Sequence, residues 1–287
     1  MNKQKTAILV DSCLDVPEEL IQKYNMYLVP VKIVYEYEEY LDNINITSDE
    51  VAARLEEEIS KTSLPDGDQI LSTLDEIKNQ GYEKVLAFSV SSGLSGTYNF
   101  VRLLCASYVG LDVYNIDTKN IAIGGGMSAI RAAQLLEEGI STEEILKEMP
   151  EILENTKVFF CLSTLKYLKQ GGRIGLLTAL LGTALDLKPI ISCNDEGIYY
   201  SVSKVRGRKK SIQKTIDLAV SFAKEKLEDA KYNLAIYHVA AKEEMQAVKE
   251  KVLSLLPTPK NIYEGQITPS LVVHTGPGLI GVGIQLL

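Results

Sequence analysis

The hydrophobic and polar positions of this chain change period repeatedly, and each change marks an element. Residues 6–10 form a short continuous apolar run that ends at Asp11, the pattern of a buried strand. Residues 17–24 carry helical spacing, with Asp15 as the expected N-cap. Residues 27–34 are strand-like, and 35–45, rich in Tyr and Glu, read as an exposed hairpin. Helical spacing over 48–60, with Ser48 as cap, and over 68–79 leads to a strand at 84–89. A helix over 95–107, a strand at 112–116 and helices over 124–138 and 142–155 follow. Strands alternating with helices predict a parallel sheet covered by helices.

The second half has a different rhythm. It opens with a strand at 158–162 and a helix that stops at Gly171-Gly172. The stretch 176–186 is apolar almost all round, the pattern of a helix buried on every side or facing an apolar ligand. Strands at 188–192 and 198–205 are joined through the turn sequence Asn194-Asp195-Glu196-Gly197. A helix over 211–226, a strand at 233–239, a helix over 242–255 and a strand at 262–265 come next. Residues 270–274 and 279–286 read as terminal strands around a Gly-Pro-Gly turn. The expectation is a two-lobed α/β protein, with a parallel-sheet lobe over 1–160 and a lobe with a mixed or antiparallel sheet over 161–287. A length of 287 residues also favours more than one core.

Composition narrows the function classes. A net charge of -8 opposes sequence-independent nucleic-acid binding and general adhesion to anionic membranes. The four cysteines stand apart without a CxxC, and His238 and His274 are the only histidines, so no zinc site is legible. Scattered thiols fit a reducing cytoplasm. The first apolar run is too short for a signal peptide, and Asp186, Lys188 and Pro189 interrupt the longest apolar stretch, so no membrane span is expected.

Three segments place hydroxyls beside glycine or proline: 61–67 with Thr62, 91–98 with Ser95 and Gly96, and 274–278 with His274. Each is also what a turn with capping hydroxyls looks like. The second carries a physical argument for an anion site. It follows a strand and opens a helix, where free N–H groups and the helix dipole favour negative charge. It is not a phosphate-binding Walker loop. His274 is either a satisfied structural histidine or a donor to an anion, and the latter would favour its charged form. Gly124-Gly125-Gly126 lack dinucleotide spacing and read as a close helix approach. Arg173, between Gly172 and Ile174, is either a loop arginine in solvent or the partner of a carboxylate or an outside phosphate. Five cations in residues 204–210 are either a solvated basic face or a dock for an anionic partner. Small residues within 176–185 leave room on one side, as a lipid slot requires.

Taken together and in order, the segments DSCLDVP, KTSLPD, SSGLSGTYN, GGRIGLLTALLGTALDLKPI, KVRGRKK and HTGPGLIGVG resemble the DegV family, the fatty-acid-binding subunits of bacterial fatty-acid kinase. The resemblance spans essentially the whole chain. It implies a Rossmann-like first lobe and a long-chain fatty acid in a tunnel between the lobes. Thr62, Ser95 with Gly96, and His274 would hold the carboxylate, and Leu177, Leu180, Leu181 and Ala184 would line the tunnel. Arg173 and Arg206 would meet the kinase subunit, which phosphorylates the presented acid to an acyl-phosphate for phospholipid synthesis. The ligand is the fatty acid, with no cofactor or metal, and a transient membrane contact for ligand exchange is compatible with the role. One departure is Asp66, where many members carry serine. Two other classes stay open on the residues: a hydrolase with Ser95 as nucleophile, His274 as base and Asp11 as orienter, against which stands the lack of a GxSxG elbow, and a lipid-sensing regulatory module.

Overall fold

The computed structural model describes residues 2–58, 60–180, 186–226 and 231–287. The first part of the chain lays down β1 (Thr6–Asp11), α1 (Glu18–Lys23), β2 (Tyr27–Val29), β3 (Lys32–Val34), β4 (Glu39–Leu41), α2 (Ser48–Arg54) and β5 (Lys61–Ser63). It continues with α3 (Gly67–Asn79), β6 (Lys84–Ser89), α4 (Thr97–Ser107), β7 (Asp112–Asp117), α5 (Ile123–Glu138) and α6 (Thr142–Glu154). The rest comprises β8 (Thr156–Cys161), α7 (Lys166–Gln170), β9 (Leu187–Cys193), β10 (Tyr199–Arg206), α8 (Arg208–Lys226), β11 (Tyr232–His238), α9 (Lys242–Leu253), β12 (Asn261–Gln266), α10 (Pro269–Thr275) and β13 (Ile280–Leu286).

Strands β2-β1-β6-β7 form a wholly parallel sheet. Its strands are apolar on both faces because helices cover both. Ala7, Leu9, Val85 and Ala87 meet Ile70, Leu74 and Val101 of α3 and α4, while Ile8, Val10, Leu86 and Phe88 turn to the opposite face and α5. The second sheet, β10-β9-β8-β13-β11-β12, is antiparallel except for the β11–β12 pair. Phe159, Ile236 and Val282 pack under α8 and α9, and Val158, Phe160 and Ala235 face α5. The fold is therefore α/β, with a parallel-sheet N-terminal part and a mixed-sheet C-terminal part. A third, small antiparallel sheet, β4-β3-β5, stands beside α10.

Helix α5 lies between the two large sheets and touches β1, β6, β8 and β13. The glycines at its start make the approach possible. A Cβ at Gly126 would sit 2.2 Å from the Leu14 carbonyl oxygen, and one at Gly125 would sit 2.5 Å from Leu14 Cδ2. The close approach read from Gly124-Gly125-Gly126 is thus realised against the segment that follows β1.

Several elements depart from the periodicity. Residues 27–34 are two strands in two sheets, because Pro30 has no N–H to continue a ladder. The following Val31 N–H instead donates to Ser12 Oγ at 3.1 Å. A hairpin forms, but it pairs Lys32–Val34 with Glu39–Leu41 and so begins before the expected 35–45 stretch, and Tyr35 and Asp42 are buried rather than exposed. Thr47, not Ser48, caps α2, in a capping box with Glu50, and Ser48 Oγ donates to the Ile267 carbonyl at 2.6 Å. Asp15 does not cap α1. It sits at φ 48 and accepts from Thr268 N–H at 2.7 Å.

The largest correction concerns residues 270–274, which are helical. Pro269 at the first turn starts α10, and the β-branched Val272 and Val273 that suggested a strand are buried on it. The apolar stretch expected as one helix begins as a short 3-10 segment, Gly175–Leu180.

Gly126→Ala is expected to lower the midpoint of chemical denaturation, at a cost of about 1–3 kcal/mol from forced separation of α5 and Leu14. An unchanged midpoint would mean that this helix and the segment after β1 part freely.

Candidate functional site

One strand, two loops and one helix meet where the two sheets approach each other. Strand β5, paired to β3 with Thr62 opposite Ile33, carries Thr62. The turn from β6 into α4 carries Ser95 and Gly96. That turn is fixed by Ser91, whose Oγ donates to the Gly197 carbonyl at 2.9 Å and accepts from Gly93 N–H at 3.1 Å. Gly96 is the N-cap of α4 and offers no side chain there, while Ser95 Oγ accepts from Thr97 N–H at 3.2 Å and lies 2.9 Å from Thr97 Oγ1. Helix α10 carries Ser270, Leu271, His274 and Thr275.

The start of α10 is buried, and its free N–H groups need acceptors. Thr268 makes no side-chain cap. Asp15 accepts from Thr268 N–H at 2.7 Å, and Asp42 accepts from Ser270 N–H at 2.8 Å and Ser270 Oγ at 2.6 Å. Asp11 is buried in the same layer and accepts from Cys13 N–H at 2.9 Å and Val90 N–H at 2.7 Å. Burial pushes all three carboxyl groups up, Asp11 to about 7, against the lowering effect of these donors. Asp15 Oδ2 has no hydrogen-bond partner.

His274 Nε2 lies 2.8 Å from Thr62 Oγ1, and its buried Nδ1 has no partner. The Gly171 backbone lies against the imidazole, where a Cβ would stand 2.0 Å from Nδ1. Burial, and then the nearby Arg173 cation, lower the imidazole pKa to about 4. This environment by itself therefore holds the ring neutral at pH 7. Arg173 turns into the same space. Its Nη1 donates to the Gly171 carbonyl at 2.7 Å and its Nε to the Leu94 carbonyl at 3.3 Å.

These groups line one cavity of about 250 Å³: Thr62, Ser95, Gly96, Arg173 and His274, with Cys13, Tyr199 and Ser270. An apolar slot of about 40 Å³ shares Ile121, Tyr199, Leu271 and Thr275 with it and runs on past Val158, Phe160, Leu279 and Val282. Tyr199 packs edge-on against Phe160, with ring centroids 5.4 Å apart. Ala122, also in the slot wall, holds φ 54 and ψ -149, a conformation otherwise left to glycine that costs of order 1–3 kcal/mol.

Thr62, Ser95, Gly96 and His274, more than 200 positions apart at the extremes, therefore share one cavity, and Arg173 shares it too. Arg206 does not. It is exposed at the end of β10, while the neighbouring Arg208 forks onto Glu244 at 2.6 and 3.2 Å. Leu177 is fully buried in the central core and Leu180 packs half-buried against it; neither lines the cavity or the slot. Leu181 and Ala184 lie outside the described residues. The slot walls come instead from β8, β13, α10 and the Ile121–Ala122 turn, positions that carried no signal beyond apolarity. Asp15 and Asp42 were likewise not read as site-forming, although Asp15 belongs to the DSCLDVP segment.

The hydrogen bonds of a Ser–His–Asp relay are not assembled among the described residues. Ser95 is bonded to Thr97, His274 to Thr62, and Asp11 to two backbone N–H groups. Among the described residues no His, Cys, Asp and Glu group could hold a metal ion, and no helix is long and apolar enough to cross a membrane.

With only two histidines, the titration of His274 is directly readable by NMR. In lipid-free protein its ring signals are expected to keep neutral-form positions down to about pH 5, with a midpoint near 4. The unfolded chain takes up this proton near 6.5, so acidification between about pH 6.5 and 4 removes stability through this group. A midpoint at 6 or above would contradict the buried, unpaired environment described.

A family model described as "Uncharacterised protein, DegV family" matches residues 5–286. A DegV domain-containing protein of Clostridium acetobutylicum is 35% identical over 98% of this chain and 99% of its own. One of Clostridium perfringens is 38% identical over 98% and 99%. Among solved structures, a DegV family protein of Thermus thermophilus, described by its fatty-acid binding, superposes with a TM-score of 0.91 at 28% identity over the whole of both chains. A stearic-acid-binding protein of Eubacterium ventriosum superposes with a TM-score of 0.88 at 27% identity over 98% of each. On matches that run almost end to end, the chain belongs to the DegV family.

Proposed function

We propose that this protein binds one long-chain fatty acid and presents its carboxylate to a partner kinase. The observation that carries the reading is the adjacency of a cavity holding Thr62, Ser95, Gly96 and His274 to an apolar slot, the two sharing Ile121, Tyr199, Leu271 and Thr275 in their walls. An amphiphile with a small anionic head and an alkyl tail matches that sequence of surfaces. Relatives described as binding fatty acids, similar over the full chain, support it further.

The energetics agree. A tail of about 14 methylenes at ~0.8 kcal/mol each is driven into the slot by roughly 11 kcal/mol before the costs of association. The head must leave water, so it needs donors. In this reading the Thr62 hydroxyl, the Ser95 hydroxyl, the Gly96 N–H at the start of α4 and the His274 ring supply them. Typical small-ligand sites run about 300–1,000 Å³. The cavity and slot, about 250 and 40 Å³, together fall just below that range, so the bound tail would part the slot walls.

The kinase step needs little from this chain beyond positioning. One carboxylate oxygen attacks the γ-phosphorus of a nucleoside triphosphate. An O–P bond forms, the bond to the bridging β-phosphate oxygen breaks, and the diphosphate leaves with the electron pair. No proton moves. The exposed Arg206, and Arg173 in the cavity wall, are assigned to contact with that partner.

Mass spectrometry of organic extracts of the purified protein should show fatty acid in near-stoichiometric amount; protein that neither carries nor takes up fatty acid would refute the reading. Thr62→Val, which keeps shape and removes the hydroxyl, is expected to weaken fatty-acid affinity by about 10- to 100-fold, in line with the loss of a hydrogen bond to a charged group. Titration with a fluorescent fatty acid measures it, and an unchanged affinity would remove Thr62 from the anchor. For presentation, a kinase that co-purifies with the wild type should convert bound acid to a hydroxylamine-trappable acyl-phosphate, and Arg206→Ala should reduce that rate without changing lipid affinity.

A further inference from the structure

Tyr199 opens β10 and stands in the wall of both the head-group cavity and the apolar slot. Only 4% of its surface is exposed. Its hydroxyl nevertheless bonds to no protein group among the described residues, and it is open to this internal space rather than sealed in packing. The other buried hydroxyls of the two walls are spent. Ser270 Oγ donates to Asp42 at 2.6 Å, Thr275 Oγ1 to the Leu271 carbonyl at 2.9 Å and Tyr237 Oη to the Asp15 carbonyl at 3.4 Å.

The phenol is held in place from several directions. Tyr199 pairs with Cys193 across the β9–β10 ladder, and its ring packs edge-on against Phe160 with centroids 5.4 Å apart. The loop after Arg173 closes on its backbone, where a Cβ at Gly175 would stand 3.1 Å from the Tyr199 carbonyl oxygen. Burial pushes the phenol pKa well up, so the group keeps its proton and can donate as well as accept. A plain alkyl tail that leaves the head-group cavity for the slot passes this hydroxyl and offers it nothing. Covering a hydroxyl with hydrocarbon while it lacks a partner is unfavourable.

We propose that Tyr199 selects a fatty acid with a hydroxyl on one of its first carbons, an α- or β-hydroxy acid, by hydrogen-bonding that oxygen where the head gives way to the tail. The inference rests on the fatty-acid reading above and narrows its ligand class. In that reading the carboxylate has its own groups in Thr62, Ser95 and His274, so the phenol is left for a second polar atom of the ligand. That atom must lie near the head. Tyr199 belongs to the stretch shared by cavity and slot, and beyond it the slot is lined by Ile123, Val158, Phe160, Leu279 and Val282. A ligand hydroxyl there can both accept from the phenol and donate to the Thr275 oxygen in the same shared wall. A site built to bond a hydroxyl also disfavours the analogue that lacks it, because its own group is then left unpaired.

The test is a series on one chain length: hexadecanoic acid and its α-, β- and ω-hydroxy derivatives, titrated into wild type and Tyr199→Phe. Wild type should bind the α- or the β-hydroxy acid about 10-fold more tightly than hexadecanoic acid, and the ω-hydroxy acid no more tightly than it. Tyr199→Phe keeps the ring and its volume. It should bring the α- and β-hydroxy acids to within about 2-fold of hexadecanoic acid and leave the latter's own affinity within about 2-fold of wild type. A wild type that prefers none of the hydroxy acids, or all three equally, overturns the proposal, and this arm decides it even if the variant does not fold. A preference that survives Tyr199→Phe overturns it too, as does an equal loss for every acid, which would put the phenol on the carboxylate instead. Wild-type protein that binds none of the four acids would instead sink the fatty-acid reading beneath it.

Discussion

The candidate site depends on how the buried N-terminus of α10 is held. Its main-chain donors are buried and receive no cap from the Thr268 side chain, and an unmade buried hydrogen bond costs about 1–3 kcal/mol. Asp15 and Asp42 close that deficit from segments 253 and 228 positions earlier. Burial works against both carboxyl groups, so the arrangement is bought at some cost in their desolvation. Its return is positional. With its first turn fixed by Asp15 and Asp42, α10 can deliver His274 to Thr62 within hydrogen-bond distance.

The chemistry of the cavity follows from that placement. His274 is far enough from solvent, and close enough to Arg173, to be neutral, so it acts as a hydrogen-bonding group of adjustable tautomer rather than a fixed charge. Thr62 and Ser95 are neutral as well. The permanent charge stands to one side, on Arg173, held by backbone carbonyls that do not neutralise it. Neutral hydrogen-bonding groups and one cation thus line the same cavity. The apolar slot has no comparable polar demand, and burial of alkyl surface there is non-directional.

Close approach is the second structural theme, and two of its instances bear directly on the site. Gly126 lets α5 settle against the Leu14 carbonyl, and Gly171 lets the loop before Arg173 lie on the His274 ring. Between them, Ala122 keeps a backbone conformation costly for any residue with a Cβ, and its N–H donates to the Cys13 carbonyl at 3.0 Å. Strain of this kind persists only where the surrounding packing over-determines it. Here that packing is the meeting of two sheets on one helix.

Much of this was legible in the residues. The apolar runs at β1 and β6, the helical spacing of α3 and the turn at Asn194–Gly197 follow from local periodicity and turn chemistry, which act over a few residues and survive in any tertiary setting. The β6-to-α4 turn stood out for the same local reason, and the ordered motifs joined it to Thr62 and His274, with which it shares a cavity. What the sequence could not contain was set by contacts across the chain. Residues 269–275 are helical because distant aspartates satisfy their N–H groups, which overrode the strand preference of Val272 and Val273. Residues 27–34 divide between two sheets because Pro30 breaks the ladder and Ser12 takes up the next N–H. The neutrality of His274, the orientation of Arg173 into the cavity and the slot walls from β8 and β13 arise from burial and proximity. Those are properties of packing, and no spacing along the chain encodes them.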